Sequence, residues 1–100
     1  MARLSCGEKK RFEGKMVRVC VAVENDEVLD VLLTGDFFVE PEEGYDILLE
    51  EARRILLERR SLEELARRLE KVLIENDIRL YGIAVDDVIE ALQRALASPH

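Results

Sequence analysis

The sequence predicts an α+β domain, a small antiparallel sheet covered by three helices. Val17, Val19, Val21 and Val23 alternate with Met16, Arg18, Cys20, Ala22 and Glu24, the period of a strand with one buried face. From Tyr45 onward, apolar residues return every three or four positions, the period of helices with one buried face. Between the two regimes lies Thr34-Gly35-Asp36-Phe37-Phe38-Val39-Glu40-Pro41-Glu42-Glu43, where alternation stops and helix-start residues appear. Gly35 allows backbone angles other residues avoid, and Pro41 suits a first helical turn. Phe37 and Phe38 read as an aromatic plug at the corner where sheet meets helix.

In chain order, residues 1–8 read as flexible. The polar run Glu8-Lys9-Lys10-Arg11 reads as a solvated arm or as a third, N-terminal edge strand. Glu13-Gly14 closes a turn into the strand Lys15–Glu24. Asn25-Asp26 tolerates left-handed angles and makes a two-residue hairpin turn. The second strand, Glu27–Thr34, is expected to place Leu29, Val31 and Leu33 on one face and Val28, Asp30, Leu32 and Thr34 on the other. A hairpin alone is marginal in water, so helices must cover it.

The first helix is expected from about Pro41 to Arg59, with Tyr45, Leu48, Leu49, Ala52, Ile55 and Leu56 as its apolar stripe. Gly44 weakens its first turn, and Glu50 and Glu51 are spaced to meet Arg54. Ser61-Leu62-Glu63-Glu64 is a capping box that starts the second helix. Leu62, Leu65, Ala66, Leu69, Val72 and Leu73 follow at helical spacing. Glu63/Arg67 and Glu64/Arg68 are candidate surface pairs, and Asn76-Asp77 ends the helix. The connector Ile78–Ile83 leads to a third helix, with Asp86 and Asp87 in its first turn and Val88, Ile89, Leu92, Ala95 and Leu96 facing inward. Ser98-Pro99-His100 reads as a flexible tail. No repeat or internal boundary divides residues 1–100.

Composition narrows the function classes. A formal charge of −7 opposes nonspecific attraction to nucleic acid or anionic membranes. No apolar run approaches a membrane span, and the N-terminus lacks a signal-peptide core, so a cytoplasmic protein is expected. Charged residues are abundant and Arg outnumbers Lys, a balance resembling a thermophile's. The two cysteines form no CxxC, and the single histidine is the last residue, so neither a zinc site nor a His-based catalytic set can be assembled. There is no phosphate-binding Gly-rich loop. Cys20 reads as a small mid-strand apolar residue, and Cys6 as an incidental or reactive thiol in a mobile segment. The acidic pairs Glu42/Glu43 and Asp86/Asp87 read as helix-dipole partners. Lys15, just after a turn and beside Lys9 and Lys10, is either a solvated lysine or one placed to meet a phosphate or an acidic surface. With no self-contained active site and no catalytic residue visible, an accessory or binding module is expected.

Three segments carry a resemblance to a known family: Gly14-Lys15-Met16-Val17-Arg18, then Thr34 to Glu43 with its Gly-Asp-Phe-Phe, then Tyr81-Gly82-Ile83 with Asp86, Asp87, Ile89, Ala91 and Leu92. Together they resemble the C-terminal accessory domain of lipoate–protein ligases, which in some archaea is a separate polypeptide. The likeness runs from about Lys9 to Leu96. Ala84-Val85 departs from the family's Thr-Pro-like helix start. The resemblance implies a fold similar to SufE-like sulfur-acceptor and iron–sulfur scaffold proteins. It implies an accessory subunit needed with a catalytic subunit for ATP-dependent activation of lipoate to lipoyl-AMP, before transfer to a lysine of lipoyl-domain acceptors. ATP, Mg and lipoate would be bound in the complex and not by this chain alone. Lys9, Lys10, Lys15, Gly35, Asp36, Phe37 and Phe38 would face the partner or a phosphate. A sulfur-acceptor protein with Cys6 as its thiol, or a plain dimerisation module, are the readings from other classes.

Overall fold

The computed structural model describes residues 2–11 and 15–97. In order they form β1 (Arg3–Lys10), β2 (Met16–Glu24), β3 (Glu27–Gly35), β4 (Phe38–Glu40), α1 (Glu43–Leu57), α2 (Leu62–Glu75), β5 (Arg79–Tyr81) and α3 (Val85–Ala97). The α+β expectation holds: β1-β2-β3 make an antiparallel sheet in that spatial order, α1 and α3 lie against one face, and α2 packs on those two helices. The readings for the Glu13-Gly14 turn and for residues 98–100 fall outside the described residues.

The valine alternation sets the sheet's orientation. Val17, Val19 and Val21 are fully buried, each stabilising the fold by roughly 1.5–3 kcal/mol of transfer free energy. Asn25 and Asp26 take φ of 54° and 65°, the paired left-handed angles of a tight hairpin turn that matches strand twist. Strand β3 departs from strict alternation. Val23 pairs with Val28 and Ala22 with Asp30, so Leu29 is an extra residue opposite no partner. This bulge turns Leu29 outward and Val28 inward, against the expected faces.

Helix α1 starts at Glu43, two residues later than expected, because Glu40 still pairs with Arg79 in a strand and the chain needs Pro41 and Glu42 to turn. Gly44 is buried, not merely a weak helix former: an added Cβ would lie 2.8 Å from the Ile78 side chain. The Ser61 cap forms as expected, with its Oγ accepting from the Glu64 N–H at 3.1 Å. The charge pairing is redistributed. Glu64 meets Arg60, and Arg68 reaches across to Glu51 on α1 at 3.0 Å. In α3 the inward set is Val85, Val88, Ala91, Leu92 and Ala95, while Leu96 is exposed. Ala84 precedes the helix, and its N–H donates to Asp87 Oδ2 at 2.8 Å, which supplies a helix start without the Thr-Pro pattern. The connector Ile78–Ile83 contains β5, which pairs antiparallel with β4 in a second, two-stranded sheet.

The largest correction concerns residues 1–8, expected to be flexible. Arg3–Lys10 is a full edge strand, registered to β2 from Arg3↔Val23 to Lys10↔Met16. Its inward residues are Ser5 and Gly7, too small to register as hydrophobic periodicity. Ser5 Oγ donates to the Ala95 carbonyl, Arg94 donates to the Glu8 carbonyl, and Lys9 pairs with Glu90 at 2.7 Å. Cys6 and Cys20 face each other across the ladder and form a disulfide, with Cα atoms 4.1 Å apart. Neither is a free thiol, which counts against a sulfur acceptor working through Cys6. Among the described residues no helix is long and apolar enough to cross a membrane.

Candidate functional site

The three segments that carry the family resemblance meet at one end of the molecule. Strand pairing puts Val17 opposite Gly35. Just beyond, the Asp36 N–H donates to the Met16 carbonyl at 2.8 Å, and the Met16 N–H donates to Asp36 Oδ2 at 3.1 Å. Asp36 therefore holds the backbone next to Lys15 in place. Gly35 has φ of +139°, and a Cβ there would sit 2.1 Å from the Met16 carbonyl oxygen, so only glycine fits. Gly82, at φ +98°, makes the third close approach: its Cβ would lie 2.6 Å from the Asp36 carbonyl oxygen. Two glycines thus let the Lys15 strand, the Gly35–Phe38 corner and the Tyr81–Ile83 segment converge.

The two phenylalanines part company. Phe37 is half-buried against the core and lies 6.5 Å from the Tyr45 ring. Phe38, expected as part of the plug, is 63% exposed and stacks on Tyr81, ring centroids 4.9 Å apart at 21°. The physical reason is the short β4–β5 ladder, which pairs Phe38 with Tyr81 while Val39 turns inward. Beside this stack runs an open groove of about 430 Å³, lined by Leu33, Gly35, Phe37, Phe38, Glu42 and Tyr45 among others. The Tyr45 hydroxyl donates to the Leu33 carbonyl at its edge. Burial raises the Tyr45 pKa, so the phenol stays neutral and keeps the proton it donates in that bond. Tyr81 beside it raises the Arg79 pKa, and the guanidinium places a positive charge next to the stack.

The basic residues divide as well. Lys9 turns to α3 and pairs with Glu90, whose pKa the ammonium lowers. Arg11 pairs with Asp87 at 2.8 Å. Lys10 and Lys15 remain exposed at the same end, Lys10 opposite Met16 and Lys15 beside it, with the Arg11 N–H donating to the Lys15 carbonyl at 2.6 Å. Of the seven predicted site residues, Lys10, Lys15, Gly35, Asp36 and Phe38 share one end of the sheet, while Lys9 is engaged by α3 and Phe37 is mostly core. Tyr81 and Arg79 belong to the surface and were not singled out as site residues, although Tyr81 stood in the third segment.

Chemically, this surface offers exposed aromatic faces, a groove and two lysines, and no nucleophile or base set. Among the described residues no group of His, Cys, Asp and Glu is placed to hold a metal. An interior apolar void has a volume of about 30 Å³, room for little more than water and far too small for an acyl chain.

A scan against protein-family models finds no match, and no curated protein matches. A solved structure shares the fold, with a TM-score of 0.64 over 92% of this chain and 97% of that one, at 21% identity. It comes from an archaeal lipoylation system, a bi-partite lipoate protein ligase and its E2 lipoyl domain from Thermoplasma acidophilum. This chain has the α+β fold of a component of that system.

Proposed function

We propose that this chain is the accessory subunit of a two-component lipoate–protein ligase. It would act with a catalytic subunit in the ATP-dependent activation of lipoate to lipoyl-AMP, before transfer to a lysine of a lipoyl domain. The observation that carries the reading is the convergence of the three resembling segments into one exposed surface, on a fold shared with a lipoylation-system protein.

Adenylation joins a lipoate carboxylate oxygen to the α-phosphorus of ATP, and pyrophosphate leaves. The step benefits from excluded water and from positive charge near the phosphates. A second subunit that closes over the nucleotide supplies both. In this reading ATP, Mg and lipoate are held by the catalytic subunit. The Phe38–Tyr81 stack docks, because exposed aromatics make favourable interface anchors. Lys15 and Lys10 lie beside it and face the phosphates.

Reconstitution tests the proposal. Pyrophosphate release from ATP and lipoate is measured with the catalytic subunit alone and with this chain added. Strong stimulation is expected, and equal release with and without the chain would sink the reading. Lys15→Ala at saturating concentration should slow release roughly tenfold to a hundredfold, the worth of one charge-assisted contact, while a binding titration stays unchanged. Lost docking with normal saturated activity would instead make Lys15 an interface residue.

A further inference from the structure

We infer that the Cys6–Cys20 disulfide is a redox-operated latch on the edge strand β1. The strand lacks the anchor most strands have. Its buried residues are Ser5 and Gly7, Lys9 on the same face is only partly covered, and its one large apolar side chain, Leu4, is 71% exposed. Hydrophobic burial therefore holds β1 weakly, and among the described residues β2 alone pairs with it in the sheet. What remains is the ladder to β2, the backbone contact of Gly7 with α3, the polar ties to α3 and the disulfide.

The bond sits where a reductant can reach it. Cys6 and Cys20 lie on the sheet face opposite the helices, and both are half-exposed. A dithiol reductant resets it with balanced chemistry. One of its thiolates attacks a disulfide sulfur and expels the other cysteine as a thiolate. Its second thiolate then breaks the mixed disulfide, leaving two protonated cysteines and an oxidised reductant. Oxidation by a disulfide reverses the sequence.

The consequence reaches the site because β1 ends at Lys9 and Lys10. Closing the 14-residue separation between the cysteines removes chain entropy from any state in which β1 has peeled away. Without the bond, β1 opens locally while the apolar core stays closed. The oxidised chain thus presents the basic end in a fixed position, and the reduced chain frees it. Its effect on adenylation rests on the accessory-subunit reading, whereas the latch itself does not.

Amide hydrogen exchange on the isolated chain, oxidised and reduced by a phosphine, tests the latch. Protection of β1 amides should fall on the order of a hundredfold on reduction, with α1 unchanged. Equal protection of β1 in both states would overturn the proposal. So would an equal loss across α1 and β2, or global unfolding of the reduced chain, since the bond would then be a general staple. The doubly substituted Cys6→Ser, Cys20→Ser chain should exchange like reduced wild type with or without phosphine, and oxidised-like protection would overturn the latch. If that variant does not fold, reduced wild type decides. Failure of both redox forms to stimulate adenylation would remove the ligase reading and leave the exchange result standing.

Discussion

Where β3 meets α1, side chains meet side chains; where β1 meets α3, backbone meets backbone. The first seam is built from Val31, Leu49, Ala52, Ile55 and Leu56, all buried in one apolar cluster. At the second, Gly7 lies so close to α3 that a Cβ would be 2.3 Å from the Ala91 carbonyl oxygen and 2.4 Å from the Ala95 nitrogen. Ser5, Glu8, Lys9 and Arg11 complete that seam with hydrogen bonds and ion pairs. Apolar packing is non-directional and tolerates adjustment, so one lost group is shared among many neighbours. A backbone seam depends on one missing Cβ and a few directed bonds. It holds position sharply with little burial energy, which suits a strand whose end carries the exposed lysine of a candidate site.

The largest expected effect is at the apolar seam. Ile55 is fully buried, and Ile55→Ala should cost about 2–5 kcal/mol in urea unfolding, spread over the whole domain. A loss well under 1 kcal/mol would mean that this seam does not carry the core. Gly7→Ala should cost roughly 1–3 kcal/mol, because the obstructing atoms are backbone and cannot swing away. Its signature is local: faster exchange in β1 and little change in α1. Gly44→Ala makes the contrast, since the atoms it meets belong to the Ile78 and Val39 side chains, which can adjust. A larger loss for Gly44→Ala than for Gly7→Ala would overturn the distinction between the seams.

Acid should act on both sides of the molecule. Burial raises the Glu51 pKa, but hydrogen bonds from Arg54 and Arg68 outweigh it, and the folded value lies below the ordinary 4.5. Lys9 holds Glu90 below 4.5 in the same direction. A carboxyl depressed in the folded state contributes stability above its unfolded pKa and loses it as pH falls through the folded value. Stability should therefore decline below about pH 4.5, and Glu51→Gln should flatten that slope. An unchanged acid limb in the variant would show Glu51 to be a bystander. The smallest effect is expected for Lys9→Met. Its ion pair with Glu90 is partly exposed and worth about 0–1 kcal/mol, so thermal unfolding should shift only slightly. A loss of several kcal/mol would show that β1 hangs on that one pair.

The sequence by itself determined what depends on local periodicity and local chemistry. The valine alternation placed β2 and its buried face, Asn25-Asp26 set the hairpin, and Ser61 set the start of α2, since each signal lies within a few residues of its effect. It also marked the glycine-rich corner and the exposed lysines as neighbours of interest. Only the tertiary structure decided the rest. Strand β1 is ordered by α3, some 85 residues away, and its inward Ser5 and Gly7 leave no apolar rhythm to read. The Leu29 bulge depends on register with β2, and β5 exists because β4 lies beside it. The disulfide needed Cys6 and Cys20 brought opposite each other across a pair whose edge strand the sequence offered only as one of two readings. Phe38 and Phe37 are adjacent and identical in the sequence, yet one faces solvent and the other the core, because pairing with Tyr81 fixes Phe38 on the outer face of β4 while Phe37, just before the strand, packs against the core.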